Sequence, residues 1–152
     1  QAIGVKAITL KQNDYVVSAV KIAEGAQILN VTEKGYGKRT NAEDFNVQYR
    51  GGKGVKIHQL TEKTGLLTGV LVIDEKEELM LITSEGVIIR LRGNEISSLG
   101  RVSQGVKLIN LNENVSVVGV AKISEQDIQM EEEQLEELEE VEQTEEIEQI
   151  EQ

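Results

Sequence analysis

The sequence of 152 residues contains no cysteine and only one histidine, His58. Without thiols, neither a disulfide framework nor a thiolate metal site can form, and a single imidazole is a poor basis for a zinc site or a Ser-His relay. The longest apolar runs, such as residues 70–73, fall far short of the ~20 residues that span a bilayer, and no secretory signal is recognisable. These absences predict a cytoplasmic protein without a membrane segment and with no metal, cofactor or catalytic residue in this stretch of chain.

Aromatic residues are also scarce. They are Tyr15, Tyr36, Phe45 and Tyr49. Aliphatic side chains must therefore fill the core, and recognition of single-stranded nucleic acid by stacking of bases on aromatic rings is disfavoured.

Positive charge is lacking altogether in the last part of the chain. Residues 124–152 contain 13 Glu, one Asp and no Lys or Arg, which gives a formal charge of −14. In residues 1–123 the remaining 13 acids face all 16 bases, so this part carries +3 while the whole chain carries −11. A mildly basic body joined to an acidic tail is typical of polyanion binding with an acidic competitor attached, and equally of a tail that only maintains solubility.

What the sequence does contain is an internal repeat. The tripeptide Gly-Val-Lys begins at Gly4, Gly54 and Gly105, at spacings of 50 and 51 residues. Other positions keep this register, and they are Leu10 with Leu60 and Leu111, Thr32 with Thr83, Gly35 with Gly86, Arg39 with Arg90, and Arg50 with Arg101. A fixed period near 50 residues is typical of the blades of a propeller.

Each repeat has the pattern of short β-strands separated by glycine turns. The predicted strands are residues 15–17, 28–31 and 79–82, the predicted turns are residues 24–25, 34–35, 51–52 and 85–86, and single helical turns are expected near residues 42–45 and 94–96. Four short strands per unit describe a propeller blade. The predicted fold class is therefore all-β and propeller-like.

The number of repeats indicates an incomplete ring. Two whole repeats and the start of a third end at Ile123. Propellers close with roughly 4 to 8 blades, and a stacked repeat needs neighbours on both faces. Residues 1–123 are therefore expected to form an open part of a larger ring, and because the chain starts at Gln1 rather than Met we expect further sequence upstream.

The pattern changes at Ser124. Glycine disappears, and apolar residues take a three-residue spacing that drifts by ~60° per step around an α-helix, so no apolar stripe forms. Like charges four residues apart, such as Glu132 with Glu136, further disfavour a helix. Residues 124–152 are predicted to be a solvated, disordered tail, with a partner-binding helix as the alternative.

Three features could in principle carry chemistry. The four carboxylates of residues 74–78 could serve acid-base catalysis or Mg²⁺, but nothing apolar around them would shift a pKa, which favours an exposed turn. The glycine-rich residues 35–38 and 51–54 resemble phosphate loops, but no predicted helix follows either of them. His58 aligns with isoleucine in both other repeats, so it is expected to pack in a sheet.

The cations of the body are more informative, because they recur at matching places in successive repeats. They are Lys38, Arg39, Arg50, Lys53, Lys56, Arg90, Arg92, Arg101 and Lys107. A cation at the same place on each blade makes a curved basic track, which suits the constant charge spacing of duplex DNA, and neighbouring glycines let the backbone approach a phosphate. These residues are predicted to contact duplex phosphates without reading sequence. Any one of them alone could simply balance a carboxylate.

At these residues the chain resembles a known family. Residues 31–40, 74–83 and 100–106 resemble the last blades of the C-terminal domain of the gyrase A protein of bacterial DNA gyrase, which is a type IIA topoisomerase. The resemblance covers residues 1–123 and implies a β-pinwheel, a six-bladed propeller-like ring whose rim bends DNA. About 150 residues would then precede Gln1.

The resemblance also implies a role within a larger enzyme. That enzyme is an A₂B₂ heterotetramer of two gyrase A and two gyrase B chains, which introduces negative supercoils at the expense of ATP. The DNA-cutting tyrosine lies in the amino-terminal part of gyrase A, and ATP with Mg²⁺ is used on gyrase B. Neither region is present in this sequence.

One motif departs from the family pattern. Residues 48–54 resemble the wrapping heptapeptide Gln-basic-Arg-Gly-Gly-basic-Gly, but Tyr49 replaces the basic residue at the second position. The family's essential copy lies in the first blade, so this copy is interpreted as degenerate, contacting DNA without deciding the wrap. Acidic tails like residues 124–152 are implied to compete with DNA for the basic rim.

Two alternatives stay open. The domain could belong to the corresponding chain of topoisomerase IV, which binds DNA for decatenation, and the degenerate heptapeptide is compatible with it. It could also be a kelch-type propeller that binds a protein, in which case the cations would lie at scattered sites.

Overall fold

The computed structural model describes residues 2–150, with side chains described up to residue 138. The strands are β1 Gln27–Thr32, β2 Tyr36–Asn41, β3 Leu67–Val72, β4 Glu78–Thr83, β5 Ile88–Arg92, β6 Val106–Lys107 and β7 Val117–Ile123. Short 3-10 turns cover Ala42–Asp44 and Gly93–Glu95, where helical turns are predicted, and helix α1 covers Glu125–Ile150. The all-β class predicted from the repeats is confirmed.

The strands form two antiparallel sheets, of four and three strands, in which β3-β1-β2 of the first corresponds to β7-β4-β5 of the second. Their orders are β3-β1-β2-β6 and β5-β4-β7. The β1–β3 pairing shifts its register between Val31 and Thr32, and the β4–β7 pairing shifts between Ile82 and Thr83. Because these two irregularities occupy equivalent places in successive repeats, the sequence repeat is also a repeat of backbone geometry.

A threonine and a glycine define the hairpin that opens each sheet. The backbone N–H four residues after Thr32 donates to its Oγ1 at 3.3 Å, and the N–H four residues after Thr83 donates to the equivalent Oγ1 at 3.1 Å. Gly35 and Gly86 follow with φ of +79° and +80°, which glycine adopts without steric cost. The repeated threonine and glycine of the sequence therefore encode the turn.

The core between the sheets is aliphatic, as predicted. Its buried members are Leu29, Val31, Ile73, Leu79, Leu81, Ile96 and Val117. Strand β4 buries alternate residues, as expected for a sheet with one face on the core. Strand β1 is buried on both faces, and Asn30 on its other face contacts the buried side chain of His58.

The third repeat completes the sheet of the first. Strand β6 pairs with β2, with Tyr36 opposite Lys107 and Gly37 opposite Val106. Strand β5, the counterpart of β2, lies at the edge of the second sheet. The repeats are therefore interlocked by strand exchange and not merely stacked.

One predicted strand is absent. Residues 15–17 have no strand pairing, and Tyr15 and Val16 stay 69% and 63% exposed. Their counterparts one repeat later lead into β3, which pairs with β1 of the preceding repeat. A strand at residues 15–17 would need a sheet before β1, and the described residues contain none.

Residues 125–150 form helix α1, where the sequence predicted a disordered tail with a partner-binding helix as the alternative; residues 151 and 152 lie outside the described residues. Ser124 and Asp127 form a capping box, in which the Asp127 N–H donates to Ser124 Oγ at 3.2 Å and the Ser124 N–H donates to the Asp127 carboxylate at 3.3 Å. Glutamate is also a good helix former. No helix among the described residues is both long and apolar enough to cross a membrane.

Candidate nucleic-acid interface

Two turns carry an arginine at the same place in consecutive repeats. We call residues 50–54 the first basic turn and residues 101–105 the second basic turn. Arg50 opens the first turn and Arg101 opens the second. Gly54 and Gly105 close the two turns, with φ of +74° and +71°. The conformation of the closing glycine therefore repeats together with the arginine.

Each basic turn is held by the segment that follows the preceding Gly-Val-Lys tripeptide. Thr9 donates its N–H to Gly52 O at 2.8 Å, and Gln59 donates its N–H to Ser103 O at 3.1 Å. The two donors lie one repeat apart, and so do the two acceptors, so one contact is made twice. The arginines that open the two turns consequently occupy corresponding positions.

Five of the nine predicted DNA-binding residues lie in or beside these turns. Arg50, Lys53, Lys56 and Lys107 are exposed, and Arg101 is half-buried. The Arg101 guanidinium donates from Nη1 to Lys56 O at 2.7 Å, which ties the second basic turn to the segment before it. Contact of these five side chains with DNA stays a prediction.

Lys38 and Arg39 are not available at the surface, which corrects their selection as phosphate contacts. Lys38 is fully buried on β2, and Arg39 is 4% exposed. Arg39 Nε donates to Ile96 O at 2.8 Å, and its Nη1 lies 3.3 Å from Glu75 Oε1. The sequence could not distinguish a strand residue that faces the rim from one that faces the next repeat.

Arg90 and Arg92 lie on the outer face of β5 and are already paired. Arg90 forms ion pairs with Glu78 and with Glu131 of α1, the latter at 2.7 Å. Hydrogen bonds to Glu131 and then Glu78 raise the pKa of Arg90 further above its ordinary value. Arg92 is 3.9 Å from Glu78. These two cations are therefore partly neutralised in this structure.

A basic cleft was missed by the sequence reasoning. A cavity of about 750 Å³ is lined by Lys34, Lys63 and Lys107 together with Tyr36, and two glutamates on its wall leave it with a small positive excess. The ammonium groups of Lys63 and Lys107 lie 5.5 and 5.9 Å from the centre of the Tyr36 ring, within cation–π range. Lys63 aligns with Asn114 in the next repeat, so a search for repeated cations passes over it.

The carboxylates of residues 74–78 are engaged in structural contacts. Glu77 accepts the N–H of Asp74 at 2.7 Å and pairs with Lys122 at 2.8 Å, while Glu78 pairs with Arg90. Among the described residues, no group of three His, Cys, Asp or Glu side chains is placed to hold a metal ion. The arrangement is that of a charged turn.

His58 is buried, as expected, although it lies in a bend and not in a strand. Its Nδ1 is 2.5 Å from Asn30 Oδ1. Burial, and then the charge of nearby Lys38, lower the pKa of His58 below its ordinary value of 6.5, against a smaller opposing effect of the Gln104 backbone.

Lowering the pH from about 7.5 to about 5.5 is expected to lower the free energy of unfolding. In the unfolded chain His58 binds a proton as the pH falls through about 6.5, whereas its lowered pKa keeps it neutral in the folded chain. The free energy of unfolding therefore decreases as the pH falls below about 6.5. Thermal melts at several pH values would measure this. His58→Gln, which cannot titrate, should flatten the dependence, since most carboxylates titrate near 4; an unchanged dependence in that variant would contradict the assignment.

The fold and the two turns define a class of protein. Antiparallel sheets that recur with the period of the sequence repeat, each contributing a turn with an arginine, are blades of a propeller-like domain with a basic surface. A profile of the family described as "DNA gyrase C-terminal domain, beta-propeller" matches residues 1–23, 27–74 and 77–124. The chain belongs to this family.

Individual relatives agree with the family. The chain is 45% identical over 136 residues to the gyrase A protein of DNA gyrase from Staphylococcus aureus (strain MRSA252), and the alignment covers 88% of this chain. It spans 15% of the length of the curated relatives it matches. These matches favour the gyrase interpretation over the kelch-type alternative.

Two solved structures share the fold. The C-terminal domain of DNA topoisomerase IV superposes with a TM-score of 0.74 and 26% identity, covering 81% of this chain and 39% of that one. The DNA gyrase A C-terminal domain gives 0.73 and 28%, covering 80% and 41%. The chain thus corresponds to about two fifths of each domain, which agrees with an open part of a larger β-pinwheel.

Proposed function

We propose that residues 1–123 bind duplex DNA through its phosphates, without sequence preference, and bend it as part of a DNA gyrase. The observation that carries the proposal is the duplicated contact of the two basic turns, from Thr9 to Gly52 and from Gln59 to Ser103. It gives Arg50 and Arg101 corresponding positions in two consecutive repeats. A regular row of cations is suited to the regular row of phosphates on a duplex, where each neutralised phosphate releases counterions.

The complete enzyme supplies the rest of the proposed activity. Bending by this domain would support ATP-dependent negative supercoiling in an A₂B₂ assembly of two gyrase A and two gyrase B chains, in the bacterial cytoplasm. ATP, Mg²⁺ and the catalytic residues would belong to parts outside this chain. The acidic helix α1 would compete with DNA, because Glu125 pairs with Lys76 at 3.0 Å and Glu131 with Arg90 at 2.7 Å.

Topoisomerase IV is the second candidate. Tyr49 stands where the wrapping heptapeptide has a basic residue, and it is 96% exposed, so the first basic turn lacks one surface cation. The likeness to the solved topoisomerase IV domain is compatible with this candidate, whereas the curated relatives at 44–45% identity are gyrase A chains and support the first. An enzyme carrying this chain would negatively supercoil relaxed plasmid if it is a gyrase, and would only decatenate linked circles if it is topoisomerase IV.

Replacing the two turn arginines is expected to weaken DNA binding in a salt-dependent way. Arg50→Ala and Arg101→Ala should each lower the slope of log affinity against log salt concentration by about 0.9, because each removes one phosphate contact. The double variant should lose about 1.8. Fluorescence anisotropy with a short mixed-sequence duplex at several salt concentrations measures these slopes.

Lys122→Ala is the control, because this cation of β7 pairs with Glu77 at 2.8 Å and is not among the nine residues predicted to contact DNA. It should leave the slope close to that of the unaltered chain. Unchanged slopes in the double variant would remove the basic turns from the DNA interface.

A further inference from the structure

Strand β2 holds the segment that leads into the second basic turn. The Leu99 N–H donates to Arg39 O at 2.8 Å, and Thr40 Oγ1 donates to Leu99 O at 2.9 Å. At the other end of the turn, Val106 pairs with Gly37. The backbone of β2 thus fixes both ends of the turn, and the remaining question is what fixes its middle.

The middle is fixed by Lys38. Its ammonium group donates to Gly100 O at 2.7 Å, to Arg101 O at 2.7 Å and to Ser103 Oγ at 3.0 Å. An ammonium group has three donors and is costly to bury unless they are satisfied. All three N–H donors of Lys38 are satisfied by the second basic turn and by Gly100, the residue that precedes it. No ion pair among the described residues involves Lys38.

The next repeat has no lysine at the equivalent position. One repeat later, the residue that aligns with Lys38 is Ile89, a half-buried residue of β5. In the second repeat, an aliphatic side chain therefore packs at this position. A buried lysine here costs desolvation, and the hydrogen bonds to the turn are the interaction that offsets it.

Arg101 depends on this anchoring. Its carbonyl oxygen is held inward by Lys38, while its guanidinium is directed to Lys56 O at the half-exposed surface. Loss of the inward hydrogen bonds would free the carbonyls of Gly100 and Arg101 to rotate. The guanidinium would then be held only by its hydrogen bond to Lys56 O, without a fixed backbone behind it.

We propose that Lys38 is a positioning residue for DNA binding, which acts through the second basic turn by holding Arg101 where it meets a phosphate. The inference rests on the proposed function of this turn. Lys38 itself touches no DNA, because it has no exposed surface.

A double-mutant cycle in the complete chain tests this role. Lys38→Met, which keeps an unbranched side chain one atom shorter and removes its donors, should weaken duplex binding severalfold and lower the salt slope by about 0.9, as loss of the Arg101 contact does. In the Arg101→Ala background, Lys38→Met should have no further effect, because the contact it supports is already gone. Fluorescence anisotropy gives affinity and slope, and thermal melts report folding.

The outcomes separate the inference from the function on which it rests. If Arg101→Ala leaves affinity and slope unchanged, the proposed role of the turn fails. If Arg101→Ala weakens binding but Lys38→Met has no effect, or has the same effect with and without Arg101, the positioning role is overturned and Lys38 is merely structural.

A milder variant covers the case in which Lys38→Met does not fold. Ser103→Ala removes only the third acceptor of Lys38, together with the hydroxyl bond from Ser103 to Gly100 O at 3.0 Å. It should weaken binding less than Arg101→Ala and again add nothing in the Arg101→Ala background. An additive effect of Ser103→Ala would overturn the inference.

Discussion

Removal of residues 125–152 is expected to raise the affinity of the remaining chain for duplex DNA at least about tenfold at low salt, a gain of ~1.4 kcal/mol. The deletion removes 13 Glu and one Asp and leaves a body of charge +3. It also releases Lys76 and Arg90 from Glu125 and Glu131. Anisotropy titrations of both chains at two salt concentrations measure the change, and the gain should shrink at high salt, where exposed charges are screened.

A variant with Glu125→Gln and Glu131→Gln separates two origins of this effect. It breaks both ion pairs with the body but leaves most of the negative charge of α1 in place. If it reproduces most of the gain, α1 competes by occupying Lys76 and Arg90. If only the deletion raises affinity, the field of the whole acidic segment is responsible, and if neither does, α1 is no competitor of DNA.

The internal repeat made it possible to predict the fold from the sequence. Thr32 with Gly35 and Thr83 with Gly86 recur because each hairpin needs a hydroxyl acceptor and a residue with positive φ at the same places. Alternating aliphatic residues then located β1 and β4. The pairing of β6 with β2 of the first sheet could not be predicted, since it depends on which strand edges lie side by side in the folded chain.

The candidate site could be predicted from the sequence only in part. The repeat correctly indicated that Arg50 and Arg101 occupy corresponding places, but register alone does not say which way a strand side chain points. Lys38 and Arg39 were therefore selected although β2 is buried on both faces. Lys63 was overlooked for the opposite reason, because it contributes to the basic cleft without a counterpart in the next repeat.

The helix shows a further limit of pattern reasoning. The spacing of apolar residues correctly indicated no apolar stripe, and Met130, Leu135 and Leu138 are all more than half exposed. What that reasoning left out was the capping box at Ser124 and the ion pairs that hold the first turns against the body. Local hydrogen bonds and tertiary contacts favour the helix despite the repulsion between its glutamates.

Gly105→Ala is expected to destabilise the fold by roughly 2–5 kcal/mol, the sum of a backbone cost and a packing cost. Its φ of +71° costs a residue with Cβ roughly 1–2 kcal/mol. The added Cβ would also lie 2.6 Å from Gly37 O and 3.2 Å from His58 Cε1, and such overpacking costs about 1–3 kcal/mol. Because Gly105 leads into β6, the strain falls on the pairing that joins the third repeat to the first sheet.

Gly54→Ala is the matched control, because Gly54 closes the first basic turn with a φ of +74° and its Cβ would meet only Ile8 Cδ1, at 3.6 Å. It carries the backbone cost alone, so urea unfolding should show a loss of roughly 1–2 kcal/mol, clearly smaller than for Gly105→Ala. Gly105→Ala should also weaken duplex binding, since β6 and Lys38 together hold the second basic turn. If the two variants lost equal amounts of unfolding free energy, the backbone around Gly37 would have moved to accommodate the new Cβ at little cost. The pairing of β2 with β6 would then contribute little to joining the repeats.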